Sequence, residues 1–460
     1  MFRFLVRKSV SRRLVLSGLL VILSGFLLLS LPISQLPTSQ ASISDHLFTA
    51  VSLVCVTGLS TQAVINTYNT FGQIICIILM QLGGLGLMSL IGFIIFKAGK
   101  QISLVDKLAL QESLNREDAS NFKHFLSTIF RYTFIIEGIG ALLFCFRFIP
   151  MMGFKKGVFT SIFMAVSAFC NAGFDNLGTS SLQLYADDPL INLTVAMLII
   201  LGGIGFSVWF DIKRNVDSLK LSLTSKWHKR FYKRLSLHTR IVLLMTAILI
   251  SFGTITTFIL EYNNPATIGN FPIWQKIMAS FFQAVTMRTA GFSTIDYSVA
   301  KPATLLLFMV QMFIGGSPGG TAGGIKTTTF LVVILYLYNE VQNARYTNFM
   351  NRTFPPHLTR RAMVIFIVFF LTFMTGLLGL SITDPEAPFL LLVFEVVSAL
   401  GTVGVTANLT PVISHSGQVI LMFLMFMGRI GPLTILLSLT EKKNKTKKTY
   451  KYAEANLLVG

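Results

Sequence analysis

Charge is scarce in this sequence, and most of it has one sign. Charged residues fill 12% of the 460 positions, 38 Lys and Arg against 19 Asp and Glu, where an ordinary soluble domain carries about 25%. At 53% hydrophobic residues and a mean hydropathy of +0.69, a soluble fold would lack the polar groups to cover its surface. Cysteine is rare as well. Cys55, Cys76, Cys145 and Cys170 lie in apolar stretches with no CxxC or Cys/His cluster, so neither a disulfide framework nor a zinc site is indicated. The six histidines fall outside the long apolar runs, and no set of catalytic residue types gathers at one depth, which argues against a membrane enzyme.

The net charge of +19 would suggest nucleic acid in a soluble protein, but its distribution points elsewhere. Lys and Arg cluster at Arg3 to Arg13, Lys97 to Lys123, Lys213 to Arg240, Arg345 to Arg361 and Lys442 to Lys451. The intervening segments are nearly free of them, with Arg147, Lys155 and Lys156 as a mild exception, and carry Asp45, Asp175, Asp187, Asp188, Asp384 and Glu386. This alternation is the positive-inside pattern of a multispanning protein in a lipid bilayer, with both termini and three loops in the cytoplasm and no role in binding nucleic acid.

A helix needs about 20 apolar residues to cross a bilayer. Runs of that size lie near 14–33, 70–96, 125–149, 189–212, 239–260, 302–338, 362–381 and 417–439, which predicts eight spans. The first is not a cleaved leader, because it takes the place of the first helix in every later unit. Between the members of each pair lies a shorter apolar stretch, at 45–57, 157–172, 274–290 and 388–403. These are too short to span and suit re-entrant half-helices. Each contains F-x-[AV]-V-[ST], as Phe48 to Ser52, Phe163 to Ser167, Phe282 to Thr286 and Phe394 to Ser398. A glycine follows in each case, Gly58, Gly173, Gly291 and Gly404, at spacings of 115, 118 and 113 residues. A second marker recurs behind them as Leu82-Gly-Gly84, Leu201-Gly-Gly203, Ile314-Gly-Gly316 and Met427-Gly-Arg429. Two markers in register four times make a fourfold repeat.

The expected architecture is therefore all-α: four helix–pore-loop–helix repeats in a pseudo-fourfold ring around one pore. The units are 1–96, 125–212, 239–338 and 362–440, joined by cytoplasmic loops at 97–124, 213–238 and 339–361 and followed by a tail at 441–460. Rings of backbone carbonyls replace the hydration shell of potassium, and pointing them inward takes dihedrals that glycine adopts freely. The candidate carbonyls belong to Val56, Thr57 and Gly58; Asn171, Ala172 and Gly173; Thr289, Ala290 and Gly291; and Thr402, Val403 and Gly404. The alternative for these glycines is close helix packing, and packing is the favoured reading for Gly84, Gly86, Gly203 and Gly205.

The third unit departs from the others. Gly315, Gly316, Ser317, Pro318, Gly319, Gly320, Thr321, Ala322, Gly323 and Gly324 interrupt its second helix, and no helix continues through such a run. A gate and a static kink are the two readings. The stretch Gly319 to Thr327 only mimics a nucleotide P-loop, since Ile325 separates the last glycine from Lys326 and no strand precedes it, so no nucleotide is expected on this chain. Arg429 stands where the other units carry glycine, at a depth where charge is costly, which places it in the inner cavity near the break. Glu395 and Arg288 either pair behind the third and fourth loops or act as separate scaffolding, the reading preferred here. Glu137 and Asp211 read as helix-end groups at the interface. Lys326 fits a gate charge and a snorkelling anchor equally.

The motifs V-T-G-L-S at Val56 to Ser60, N-A-G-F at Asn171 to Phe174, R-T-A-G-F at Arg288 to Phe292 and G-T-V-G at Gly401 to Gly404 resemble those of the Trk/Ktr/HKT superfamily of potassium transporters. The G-G-I-K-T-T-T at Gly323 to Thr329 and G-R-I-G-P at Gly428 to Pro432 add to the match, which is nearest to the KtrB-type membrane subunits of bacterial Ktr systems and covers nearly the whole chain. The resemblance implies potassium uptake across the bacterial plasma membrane, with sodium as a coupling or activating ion. It also implies a homodimer with one pore per subunit, a cytosolic KtrA-like ring of nucleotide-binding regulatory subunits, a gate at 315–324, and a tail at Tyr450 to Gly460 that contacts the partner. Glycine in all four loops goes with potassium selectivity in that family. A coupled transporter with inverted repeats is the competing class, but these units all start at a basic cytoplasmic end.

Overall fold

The computed structural model describes residues 10–86, 122–219 and 234–440, and among the described residues the regular elements are helices apart from one hairpin. The loops at 97–121 and 220–233 and the tail at 441–460 lie outside the described residues. In the first stretch α1 (Val10–Leu29) is followed by the short α2 (Ile43–Cys55) and by α3 (Thr70–Leu85). Next come α4 (Phe122–Met152), the short α5 (Phe154–Cys170), α6 (Pro189–Gly203) and α7 (Phe206–Leu219). The third series is α8 (Leu237–Glu261), the short α9 (Ile273–Thr286), α10 (Pro302–Phe313) and α11 (Thr327–Val341). The fourth is α12 (Pro356–Thr383), the short α13 (Phe389–Gly401), α14 (His415–Ile430) and α15 (Pro432–Thr440).

The helix starts follow from their first residues. Ser42 and Asp45 form a reciprocal capping box on α2, and the side chains of Asn69, Ser236 and Ser414 accept from Gly72, Thr239 and Gly417 at 3.0, 3.2 and 3.1 Å. Pro189, Pro302 and Pro356 open α6, α10 and α12, where no backbone N–H is needed.

Among the described residues four helices are long and apolar enough to cross a membrane: Arg12–Leu29, Leu126–Met152, Leu237–Glu261 and Pro356–Thr383. Large apolar side chains such as Leu27, Phe146, Ile259 and Ile382 face outward from them, a surface suited to lipid. The second helices differ from the continuous spans expected. Helices α6 and α7 meet at 92° at Gly205, α14 gives way to α15 at Gly431, and α3 ends at Gly86. These glycines have φ of 93°, 93° and 79°, which no helix interior permits, so Gly86 and Gly205 are breakers rather than packing residues. A two-residue hairpin pairs Asn348–Phe349 with Arg352–Thr353 through Met350 and Asn351, both at positive φ, a feature without a hydropathy signature.

One packing contact recurs four times. A Cβ on Gly25 would lie 2.7 Å from Leu79, and the same holds for Gly140 on Leu198 and Gly376 on Leu424; Gly253 faces Gln311. The long helix of each series thus fits its glycine over the same position of the second helix, and small residues let the two backbones approach.

Candidate functional site

The short helices α2, α5 and α13 end on a left-handed residue, and after α9 the same turn comes three residues beyond its last residue. Val56, Asn171, Thr289 and Thr402 have φ of 55°, 58°, 69° and 50°, and each lies two residues before a glycine that is again at positive φ. Those glycines are Gly58, Gly173, Gly291 and Gly404, at 103°, 71°, 85° and 92°. Alternating the hand of successive residues turns consecutive carbonyls toward the same side of the strand. Val56, Thr289 and Thr402 are β-branched, and that conformation costs an L-residue about 1–2 kcal/mol, so it is held by its surroundings.

The hydroxyl of the F-x-[AV]-V-[ST] motif is part of what holds it. The backbone N–H groups of Thr57, Ala172, Ala290 and Val403 donate to the carbonyls of Ser52, Ser167, Thr286 and Ser398 at 2.9, 2.8, 3.0 and 2.8 Å. The side chains add a second layer. Ser52 and Ser398 accept from the N–H of Gly58 and Gly404, each at 3.1 Å. Ser398 donates to Val405 at 2.7 Å, and Thr286 donates to Phe292 at 2.6 Å. Sequence reasoning used this hydroxyl as a repeat marker and gave it no task.

The four glycines converge. A Cβ on Gly58 would stand 2.8 Å from the Ala172 carbonyl oxygen, one on Gly173 would stand 2.7 Å from that of Ala290, and one on Gly291 would stand 2.9 Å from that of Val403. One on Gly404 would collide with the Thr57 carbonyl, which closes the circle. The structure thus brings the four loops that carry the twelve candidate carbonyl residues together at one point, glycine against neighbouring carbonyl. The C-termini of α2, α5, α9 and α13 end at these loops, and the negative end of each helix dipole favours a cation there.

The glycine-rich segment lies against the same loops. Its ends are pinned by bonds from Gly315 to Ile325 and from Thr327 to Gly316, at 2.9 and 3.1 Å. Its tip docks on the break between α6 and α7: Ser317 and Thr321 donate to Gly203 and Gly202 at 3.0 and 3.1 Å, and Phe206 donates to Gly319 at 3.0 Å. The Thr321 hydroxyl donates to the Phe169 carbonyl at 3.1 Å and lies 3.3 Å from Asn171 Oδ1. Gly323 leaves no room beside Thr402. From α14, Arg429 donates to the carbonyls of Thr321, Gly83 and Gly84. The segment and Arg429 together join all four series on one side of the glycine loops. Lys326 folds back onto the Ala322 carbonyl at 2.6 Å, so it serves the segment and does not reach outward.

Glu395 and Arg288 do not pair. Glu395 is fully buried and accepts from Thr406 and, at 2.7 Å, from Thr410, which ties the stretch after Gly404 to α13. Arg288 donates to Thr246 on α8 at 3.2 Å, and its carbonyl accepts from Asn171 at 3.4 Å. Glu137 is not a helix-end group: it sits in mid-α4, buried against Gln81. Asp211 lies within α7, and its carboxylate accepts from the N–H of Ser236, the residue that caps α8, at 2.7 Å.

Residues 19–448 match the family model described as TrkH, cation transport protein. The chain belongs to that family. As a TrkH-family chain with long apolar helices, it is a multi-pass membrane protein, and the family's members are transporters. It is 38% identical to the Ktr system potassium uptake protein B of Bacillus subtilis over 95% of both chains. It is 36% identical to the potassium/sodium uptake protein NtpJ of Enterococcus hirae over 99% of this chain and 98% of that one. Among solved structures, the potassium transporter TrkH from Vibrio parahaemolyticus superposes with a TM-score of 0.69 at 20% identity, covering 92% of this chain and 84% of that one, a likeness of fold.

Proposed function

We propose that this chain is the pore-forming subunit of a Ktr-type potassium uptake system. The four series of helices are then four pore-loop repeats around one pore, with eight spans of which the second in each repeat is broken at its glycine. Both termini lie in the cytoplasm of a bacterial cell, and the boundaries between units follow the basic loops. The carbonyls of residues 56–58, 171–173, 289–291 and 402–404 form the filter, and residues 315–324 with Arg429 form the gate beneath it. The observation that carries this reading is the closed ring of Gly58, Gly173, Gly291 and Gly404, each against a neighbour's carbonyl. A side chain at any of the four would intrude on the ring, and packed carbonyls are what a dehydrated potassium ion needs.

Relatives described as Ktr subunits support a regulated assembly: a homodimer on a cytosolic KtrA-like nucleotide-binding ring, with sodium as coupling ion or activator. The test is potassium or rubidium uptake into a strain lacking its own uptake systems, with and without sodium and the regulatory subunit. Growth and saturable uptake at low external potassium are expected. Membrane-inserted protein that confers no potassium uptake under any of these conditions overturns the proposal.

A further inference from the structure

We propose that Glu137, Gln81 and Cys170 form a positioning cluster that fixes the second filter loop and thereby sets the preference for potassium over sodium. The inference rests on the reading of the glycine loops as a filter and deepens it. The packing register carries the argument. Taking Gly25, Gly140, Gly253 and Gly376 as equivalent, the residue three positions earlier is Ile22, Glu137, Ile250 and Phe373. On the second helices, the residue before the second marker is Gln81, Ile200, Phe313 and Phe426. At each position three of the four units place an apolar side chain, and the exceptions are Glu137 of the second unit and Gln81 of the first. The carboxyl and the amide stand together at the junction of the first unit with the second.

There they meet. Glu137 is 4% exposed, and Gln81 Nε2 donates to its Oε2 at 3.3 Å. The Cys170 thiol donates to Gln81 Oε1 at 3.5 Å and lies 3.9 Å from Glu137 Oε1. Three helices, α3, α4 and α5, are therefore joined at one point. Cys170 is the last residue of α5, and the next residue, Asn171, is the left-handed turn that starts the second loop. One turn along α3 from Gln81, Gly84 is pressed on Cys170, where a Cβ would come within 2.6 Å of the sulfur. A carboxyl and an amide at membrane depth are tolerated when each finds a partner, and here the partners fix the end of α5. Gly173 sits so close to its neighbour that an added Cβ would stand 2.7 Å from the Ala290 carbonyl oxygen, so a shift of a fraction of an ångström in Cys170 changes how the second carbonyls meet the ion.

The test uses the full-length chain in membranes, with uptake read against potassium concentration and in competition with sodium. Glu137→Ile, the residue of the equivalent sites, is expected to raise KM for potassium about tenfold and to let sodium compete, with the maximal rate within about twofold. Gln81→Ile should act in the same direction. Glu137→Gln keeps the shape and a bridging polar group and should hold KM near wild type, so that its contrast with Glu137→Ile assigns the effect to the hydrogen bonds. Wild-type KM and sodium competition in both isoleucine variants would overturn the proposal. So would a Glu137→Gln as impaired as Glu137→Ile, or the loss of both isoleucine variants from the membrane, which would make the cluster a folding element. Gly173→Ser serves as the control: if it too leaves ion preference unchanged, the filter reading has failed and not the cluster alone.

Discussion

Arg429→Ala is the perturbation whose consequence can be worked furthest. The guanidinium holds three carbonyls: Thr321 on the glycine-rich segment, and Gly83 and Gly84 on α3. A hydrogen bond from a charged donor contributes about 1.5–3 kcal/mol net. One of the three, to Thr321, restrains the segment itself. Its loss favours undocking by about 10- to 150-fold in the docked-to-undocked ratio. The segment keeps its contacts to Gly202, Gly203, Phe206 and Phe169, so the ratio shifts without the loop unfolding. The expected result is higher potassium uptake, less dependent on the cytosolic ring, once normalised to protein in the membrane. Arg429→Lys keeps the charge, but one ammonium cannot span all three carbonyls, so an intermediate flux is expected. Normalised flux at or below wild type for Arg429→Ala would refute this reasoning, because a structural role predicts that direction.

Gly58→Ser puts a side chain at φ 103° against the Ala172 carbonyl, and should weaken potassium affinity and admit sodium in competition uptake assays. Deleting 315–324 removes the docked tip and should raise flux. Deletion variants that insert normally yet show regulated wild-type flux would leave the segment a static kink. Ser398→Ala removes two buried bonds, to Gly404 and Val405, and should cost about 1–3 kcal/mol, read as a lower melting temperature in detergent. Ser167→Ala, whose hydroxyl has no partner among the described residues, should cost about 0.5 kcal/mol or less in the same assay.

Much of the architecture is written in local pattern. Hydropathy and the spacing of Gly58, Gly173, Gly291 and Gly404 gave the helices, the short half-helices and the loops, because helix periodicity and the need for positive φ act over a few residues. The break at 315–324 was equally legible, since six glycines and a proline cannot stay helical. The breaks at Gly86, Gly205 and Gly431 were not, because a single glycine in an apolar helix is as common in packing as in breaking, and the neighbouring backbone decides which. Pairing was the least legible. Separate roles were the preferred reading for Glu395 and Arg288, but which groups hold each was not legible: Thr406 and Thr410 for Glu395, and Thr246 on α8 for Arg288. Glu137 and Gln81 are 56 residues apart and meet through helix packing that no spacing encodes. The sequence by itself determined that four glycine loops exist, since each needs a backbone that only its own residues can supply. Tertiary structure alone decided that they close into one ring and that Arg429 holds the segment beside it, because those contacts depend on how distant helices cross.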